Sequence, residues 1–171
     1  PVSRRSYPKQ FSQLVGSESL YQASLRRLSG PGYADPMILT NSEFRFIATE
    51  QLSEAGFARA RILIEPESRN TGPAVLAAAL TVLETAGPEA LGLIAPSDQV
   101  IADDGVFAAA GAAGAGAAAT GRLVTFGIQP DRPETGYGYL ELGGSGAGAQ
   151  PLARFVEKPG AEAAAEMLAS G

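Results

Sequence analysis

Short apolar runs alternate with stretches of helical periodicity along most of this chain, and that alternation narrows its fold more than any other feature. Residues 36–39, 61–64, 91–95, 122–128, 136–140 and 152–157 read as strands. Between them lie helical faces. Tyr21, Leu25 and Leu28 share one face, Phe44, Ile47, Ala48, Leu52 and Ala55 a second, and Ala161, Ala164, Ala165 and Leu168 a last one. Strands that alternate with helices indicate βαβ units, hence an α/β fold whose doubly wound, mostly parallel sheet carries helices on both faces. The almost unbroken apolar run 91–95 suits a parallel strand covered on both sides. No linker or repeat divides the 171 residues, so a single domain is expected.

Punctuation supports these elements. Ser19 with Gln22, and Thr40 with Glu43, match capping boxes at two helix starts. Gly56 stands where a helix closes in a left-handed residue. Helix 74–85 is apolar on nearly every side and is expected to be buried. Its start places Thr71 or Gly72 as the cap and Pro73 in the first helical position. The Ala/Gly tract 107–120 reads as a helix loosened by Gly111, Gly114 and Gly116, each costing about 1 kcal/mol against alanine. Pro8 restricts Tyr7 to extended conformations, so the segment around Lys9 reads as a loop or short extended piece.

Composition removes several kinds of chemistry. The chain has no cysteine and no histidine, which excludes disulfides, thiolate metal sites, the commonest general base and the commonest zinc ligand. Carboxylates, lysines, arginines, backbone amides and an oxygen-ligated cation remain. A net charge of −5 argues against a nucleic-acid groove, which needs a basic face. Local basic clusters are confined to Arg4-Arg5 with Lys9 and to Arg26-Arg27. No apolar run is long enough to span a membrane and no apolar stretch follows the basic start, so a cytoplasmic location is expected.

Three polar segments stand where strands end: 64–72, 95–98 and 155–159. In an open parallel sheet, ligands sit just beyond the carboxyl ends of strands, so the three are candidates for one site. Arg69-Asn70-Thr71-Gly72 lies directly before a helix, whose free N–H groups favour anions, though an ordinary capped start has the same appearance. Asp98 is placed to hold a hard cation or to serve as a turn residue. Gly136-Tyr137-Gly138-Tyr139 lets a backbone approach a ligand, or marks a bulge. Ideal alternation sends Glu157 and Lys158 to opposite faces, so their joint use requires a bend near Pro159; an exposed ion pair at a strand end is the alternative. Lys9 by itself reads equally as a solvated loop lysine.

Taken in order, these segments match a known family. Tyr7-Pro8-Lys9-Gln10-Phe11, Glu65-Pro66 with Arg69-Asn70-Thr71-Gly72-Pro73-Ala74, Pro96-Ser97-Asp98, Phe126-Gly127-Ile128, Thr135-Gly136-Tyr137-Gly138-Tyr139 and Phe155-Val156-Glu157-Lys158-Pro159 closely resemble the bacterial mannose-1-phosphate guanylyltransferases, sugar-nucleotide pyrophosphorylases of the nucleotidyltransferase class. The resemblance runs from the first residues to the last helix. It implies a Rossmann-like nucleotidyltransferase core that makes GDP-mannose and pyrophosphate from GTP and mannose 1-phosphate. The sugar phosphate would attack the α-phosphorus in line. The resemblance further implies that Lys9 contacts the nucleotide phosphates, that Arg69, Asn70, Thr71, Gly72 and Pro96 belong to the nucleotide pocket, and that Asp98 holds Mg2+. Gly136, Tyr137 and Gly138 would approach the mannose, Glu157 would accept from sugar hydroxyls, and Lys158 would pair with the sugar phosphate.

The sequence departs from the family pattern in places. Family members carry a strand and a glycine-rich loop with a catalytic arginine ahead of the position of Pro1, and a second metal-binding aspartate beyond the position of Gly171. The expectation is therefore a partial domain without an isomerase domain, with apolar surface exposed where further strands would pack. Gln99 stands where the family usually has histidine, and Gly72 where alanine is commoner. Open alternatives are a related pyrophosphorylase for another base or sugar, and a non-catalytic sugar-nucleotide-binding module. A homodimer is one open assembly.

Overall fold

The computed structural model describes residues 8–14, 16–67, 69–146 and 148–170. The extended reading of Tyr7 and the Arg4-Arg5 cluster lie outside the described residues. The architecture is mixed α/β, with five α-helices and a parallel strand pair among the described residues. The chain divides into two compact units, Pro1–Asp104 and Gly105–Gly171.

In the first unit, β1 (Met37–Asn41) and β2 (Arg61–Glu65) pair in parallel, from Met37 opposite Arg61 to Asn41 opposite Glu65. The helix between them, α2 (Arg45–Glu54), makes this a βαβ unit. Its end is a Schellman closure: the Phe57 N–H donates to the Leu52 carbonyl at 2.9 Å and the Gly56 N–H to Ser53 at 3.1 Å, with Gly56 at φ +86°. Helix α1 (Leu20–Arg27) begins in the expected capping box, with Ser19 and Gln22 bonded reciprocally at 3.1 Å. The second expected capping box does not form. Thr40 is committed to the β1 ladder opposite Ile64, and Asn41 instead accepts the Phe44 N–H through Oδ1 at 3.2 Å.

The core of this unit gathers Phe11, Tyr21, Leu25, Ala48 and Leu52, with Ile38, Phe44, Ile47 and Ile62 packed around them. Full burial of one such large side chain contributes about 1.5–3 kcal/mol. Phe11 meets Tyr21 edge-on at 5.4 Å and Phe44 at 6.0 Å between ring centres. Burial pushes the Tyr21 phenol up, so it stays a neutral donor, directed at the Ala48 carbonyl. Phe11 ends a single 3-10 turn, Lys9–Phe11, where the sequence suggested a loop or extended piece; burying the ring pulls the chain into that turn.

Helix α3 (Thr71–Ala86) starts one to two residues earlier than expected, with Asn70 as its cap and Pro73 in the third helical position. Proline is tolerated there because first-turn N–H groups have no helical partner. The expectation of a buried helix fails: Leu76, Leu80 and Leu83 are exposed, and only Ala78 is buried. Residues 91–95 and 122–128 form no strand, and Leu91, Ile94, Leu123 and Ile128 are exposed. An apolar run becomes a strand only beside a chain that completes its ladder, and no described residue pairs with either run.

The second unit holds most of α4 (Asp104–Ala118), then β3 (Tyr139–Leu142), β4 (Leu152–Val156) and α5 (Ala161–Ser170). β3 and β4 are antiparallel, with an irregularity at Glu141/Leu142. Their connection has no helix and is too short for a parallel crossover, which takes a dozen or more residues. Gly114 is not simply a weak point of α4. A Cβ there would lie 2.9 Å from Phe126 Cε1, so the glycine lets the helix pack against that ring. Among the described residues no helix is long and apolar enough to cross a membrane.

Candidate nucleotide and sugar-phosphate site

In the first unit Arg69 and Pro73 border the carboxyl end of β2. A cavity of about 420 Å³ opens there, lined by Leu63, Ile64 and Glu65 of β2, by Glu67 and Arg69 of the following turn, and by Pro73 at the start of α3. This is the position that strand topology favours for a ligand. A larger hollow of about 640 Å³ lies on the flank of α2, lined by Arg45, Phe46 and Glu50, and shares only Ile64 with the first. The smaller cavity is the better candidate, because it opens at the carboxyl end of β2, where the following turn leads into α3.

Arg69 does not stand alone. Its Nε donates to Glu67 at 3.0 Å, across an exposed turn. The acidic residue two positions before the arginine is the signal by which Glu67 could have been anticipated. Asn70, the cap of α3, and Thr71 and Gly72 in its first turn are exposed. A Cβ at Gly72 would meet no atom within 4 Å, so the commoner alanine would fit equally well.

Asn70 has φ 61° and ψ −166°, a region occupied almost only by glycine, and its side chain makes no capping bond. Holding a non-glycine residue there costs about 1–3 kcal/mol. Asn70→Gly should therefore raise the stability of the chain by about 1 kcal/mol, read from its denaturant midpoint. A midpoint no higher than that of the wild type would show that Asn70 is not strained there.

Lys9 and Asp98, far apart in sequence, meet in the same unit: Lys9 Nζ lies 2.8 Å from Asp98 Oδ2. Asp98 sits in the Ser97-Asp98 turn, just after the exposed Pro96, at the end of the apolar run 91–95. Among the described residues no three Asp, Glu, His or Cys side chains converge on one point. A single partly exposed carboxylate does not make a protein cage for a cation. It does fit Mg2+, which commonly takes one or two carboxylates together with phosphate oxygens and water.

In the second unit Gly138 immediately precedes β3, and Glu157 and Lys158 immediately follow β4. Gly138 is the glycine here that cannot be replaced without movement: a Cβ would lie 2.7 Å from Phe155 Cε2 and 3.1 Å from Glu157 Oε2. Gly136 has open space around it, and Tyr137 is exposed. Tyr139 accepts the Glu134 N–H at 2.9 Å, which ties the loop ahead of β3 to the strand.

The strand end carries an exposed ion pair of Glu157 and Lys158, the alternative reading of these two residues. β4 stops at Val156, and Lys158 takes φ +43°, a left-handed conformation uncommon outside glycine. The turn brings Lys158 Nζ to 3.5 Å from Glu157 Oε1, overcoming the alternation that would have parted them. An acceptor and a cation thus lie side by side near the backbone of Gly138.

Comparison with known proteins extends over the whole chain. The nucleotidyl transferase family profile matches residues 1–171. The chain is 48% identical to the xanthan biosynthesis protein XanB of Xanthomonas campestris pv. campestris (strain B100), covering all of this chain and 36% of that protein. It is 44% identical to the mannose-1-phosphate guanylyltransferase of Sinorhizobium fredii (strain NBRC 101917 / NGR234), covering all of this chain and 34% of that protein. The chain thus spans about a third of the length of these curated relatives. Among solved structures, one from Thermus thermophilus described as a mannose-1-phosphate geranyltransferase aligns with a TM-score of 0.86 at 33% identity, over all of this chain and 49% of that one. With the family profile matching residues 1–171 and the backbone following that of a solved relative, the chain belongs to the nucleotidyl transferase family.

Proposed function

We propose that this chain is the nucleotide- and sugar-phosphate-binding part of a mannose-1-phosphate guanylyltransferase, which makes GDP-mannose and pyrophosphate from GTP and mannose 1-phosphate. The observation that carries this reading furthest is the 2.8 Å approach of Lys9 to Asp98, which sets side by side the cation and the carboxylate that this reading assigns to phosphates and to a metal. The names of the relatives support the choice of sugar and base.

The nucleophile is a phosphate oxygen of mannose 1-phosphate, already an anion, so a chain without histidine needs no general base. It attacks the α-phosphorus. The new P–O bond forms as the bond to the bridging oxygen breaks, and pyrophosphate departs with that electron pair. Positioning and charge neutralisation carry such a transfer. Lys9 neutralises charge at the nucleotide phosphates. Arg69, Asn70, Thr71 and Gly72 hold the nucleoside, and Pro96 borders the turn that presents Asp98. Gly138 admits the sugar to the backbone, with Gly136 and Tyr137 beside it; Glu157 accepts from its hydroxyls, and Lys158 holds its phosphate. A bound Mg2+, held by Asp98, would offset negative charge on the phosphates. On this reading residues 1–171 serve a single nucleotidyltransferase domain, working in the cytoplasm where GTP is available.

Calorimetric titration of the chain with GDP-mannose, with and without Mg2+, tests the proposal, with UDP-glucose and dTDP-glucose as controls. GDP-mannose should bind at least tenfold tighter than either control, about 1.4 kcal/mol. Tighter binding of a control would move the assignment to another sugar-nucleotide pyrophosphorylase.

A further inference from the structure

We infer that the Lys9–Asp98 ion pair is a latch that makes cation binding at Asp98 wait for an anionic ligand. The inference rests on the preceding assignment of Asp98 to the metal and Lys9 to phosphates, and adds how the two are coupled. The ammonium lies 2.8 Å from Asp98 Oδ2. Lys9 is held close to that position, because it opens the turn that Phe11 closes in the core and its carbonyl accepts the Ser12 N–H at 3.0 Å. A cation approaching Asp98 therefore meets a carboxylate that is already neutralised, with a positive charge beside it.

An incoming polyphosphate changes that balance. It offers Lys9 several charged acceptors, draws the ammonium away, and releases the carboxylate oxygen for the cation that the phosphates carry. The pair can break readily. The side chains are 52% and 37% exposed, and exposed ion pairs stabilise a fold very little. The latch thus favours cation and nucleotide entering together over a cation resting in the empty site.

Mn2+ titration without nucleotide, followed by the electron paramagnetic resonance signal of the free ion, tests the latch in the full chain. Lys9→Met should bind Mn2+ about fivefold tighter than wild type, matching the upper range of exposed ion pairs. Lys9→Arg should behave as wild type, and adding Asp98→Asn to Lys9→Met should cancel the gain. Unchanged affinity in Lys9→Met, or a gain that survives Asp98→Asn, overturns the latch. The underlying assignment has its own readout: it fails if Asp98→Asn alone leaves the Mg2+ dependence of GDP-mannose binding intact.

Discussion

Phe11→Ala should destabilise the chain by about 3–5 kcal/mol, the usual cost of emptying a buried phenylalanine site. The ring is 4% exposed and lies between Tyr21 and Phe44, and its own carbonyl accepts from Gln51 Nε2 at 3.0 Å. The neighbours cannot easily close the space. Tyr21 is held through its hydroxyl by Ala48, and Gln51 is tied to Ser19 at 2.6 Å. For a unit of this size the loss corresponds to a fall in melting temperature of roughly 10–20 °C. The effect should also reach the site, since Lys9 opens the same turn. Sugar-nucleotide affinity should fall even under conditions where the variant remains folded. Thermal denaturation with parallel GDP-mannose titration checks both; a shift below about 1 kcal/mol would show that the core does not depend on this ring.

Asp98→Ala is expected to separate binding from folding in the opposite way. The side chain is partly exposed and its ion pair with Lys9 is a surface contact, so stability should change by no more than about 0.5 kcal/mol. On the proposed function, the Mg2+-dependent gain in GDP-mannose affinity should disappear, a loss of tenfold or more, because no group of three acidic side chains among the described residues can take over. Titration with and without Mg2+, beside a thermal melt, distinguishes the outcomes. A variant that stays folded and keeps its full metal response would remove Asp98 as the ligand.

Much of the fold was legible because its signals are local. The Ser19–Gln22 box, the Gly56 closure, the helix over the Ala/Gly tract and the β4 strand depend on residues a few positions apart. The same property explains the failures. Thr40 and Glu43 have capping spacing, yet Thr40 belongs to a strand whose partner lies more than twenty residues on. Apolarity around α3 and along 91–95 and 122–128 predicted burial, but burial requires a facing surface, and a sequence does not say which surface is present.

The candidate site divides in the same way. The order of its motifs, and with it the family, was set by sequence alone, as was the exclusion of histidine and thiolate chemistry. Tertiary structure decided that Lys9 meets Asp98, that Asn70 is held in a glycine-like conformation, and that Lys158 turns back beside Glu157 near Gly138. Residue type and spacing specify which groups a chain carries and what it does within a few residues. Ion pairs across long loops and strained dihedrals arise only when distant segments pack, and the energy of that packing settles which groups meet.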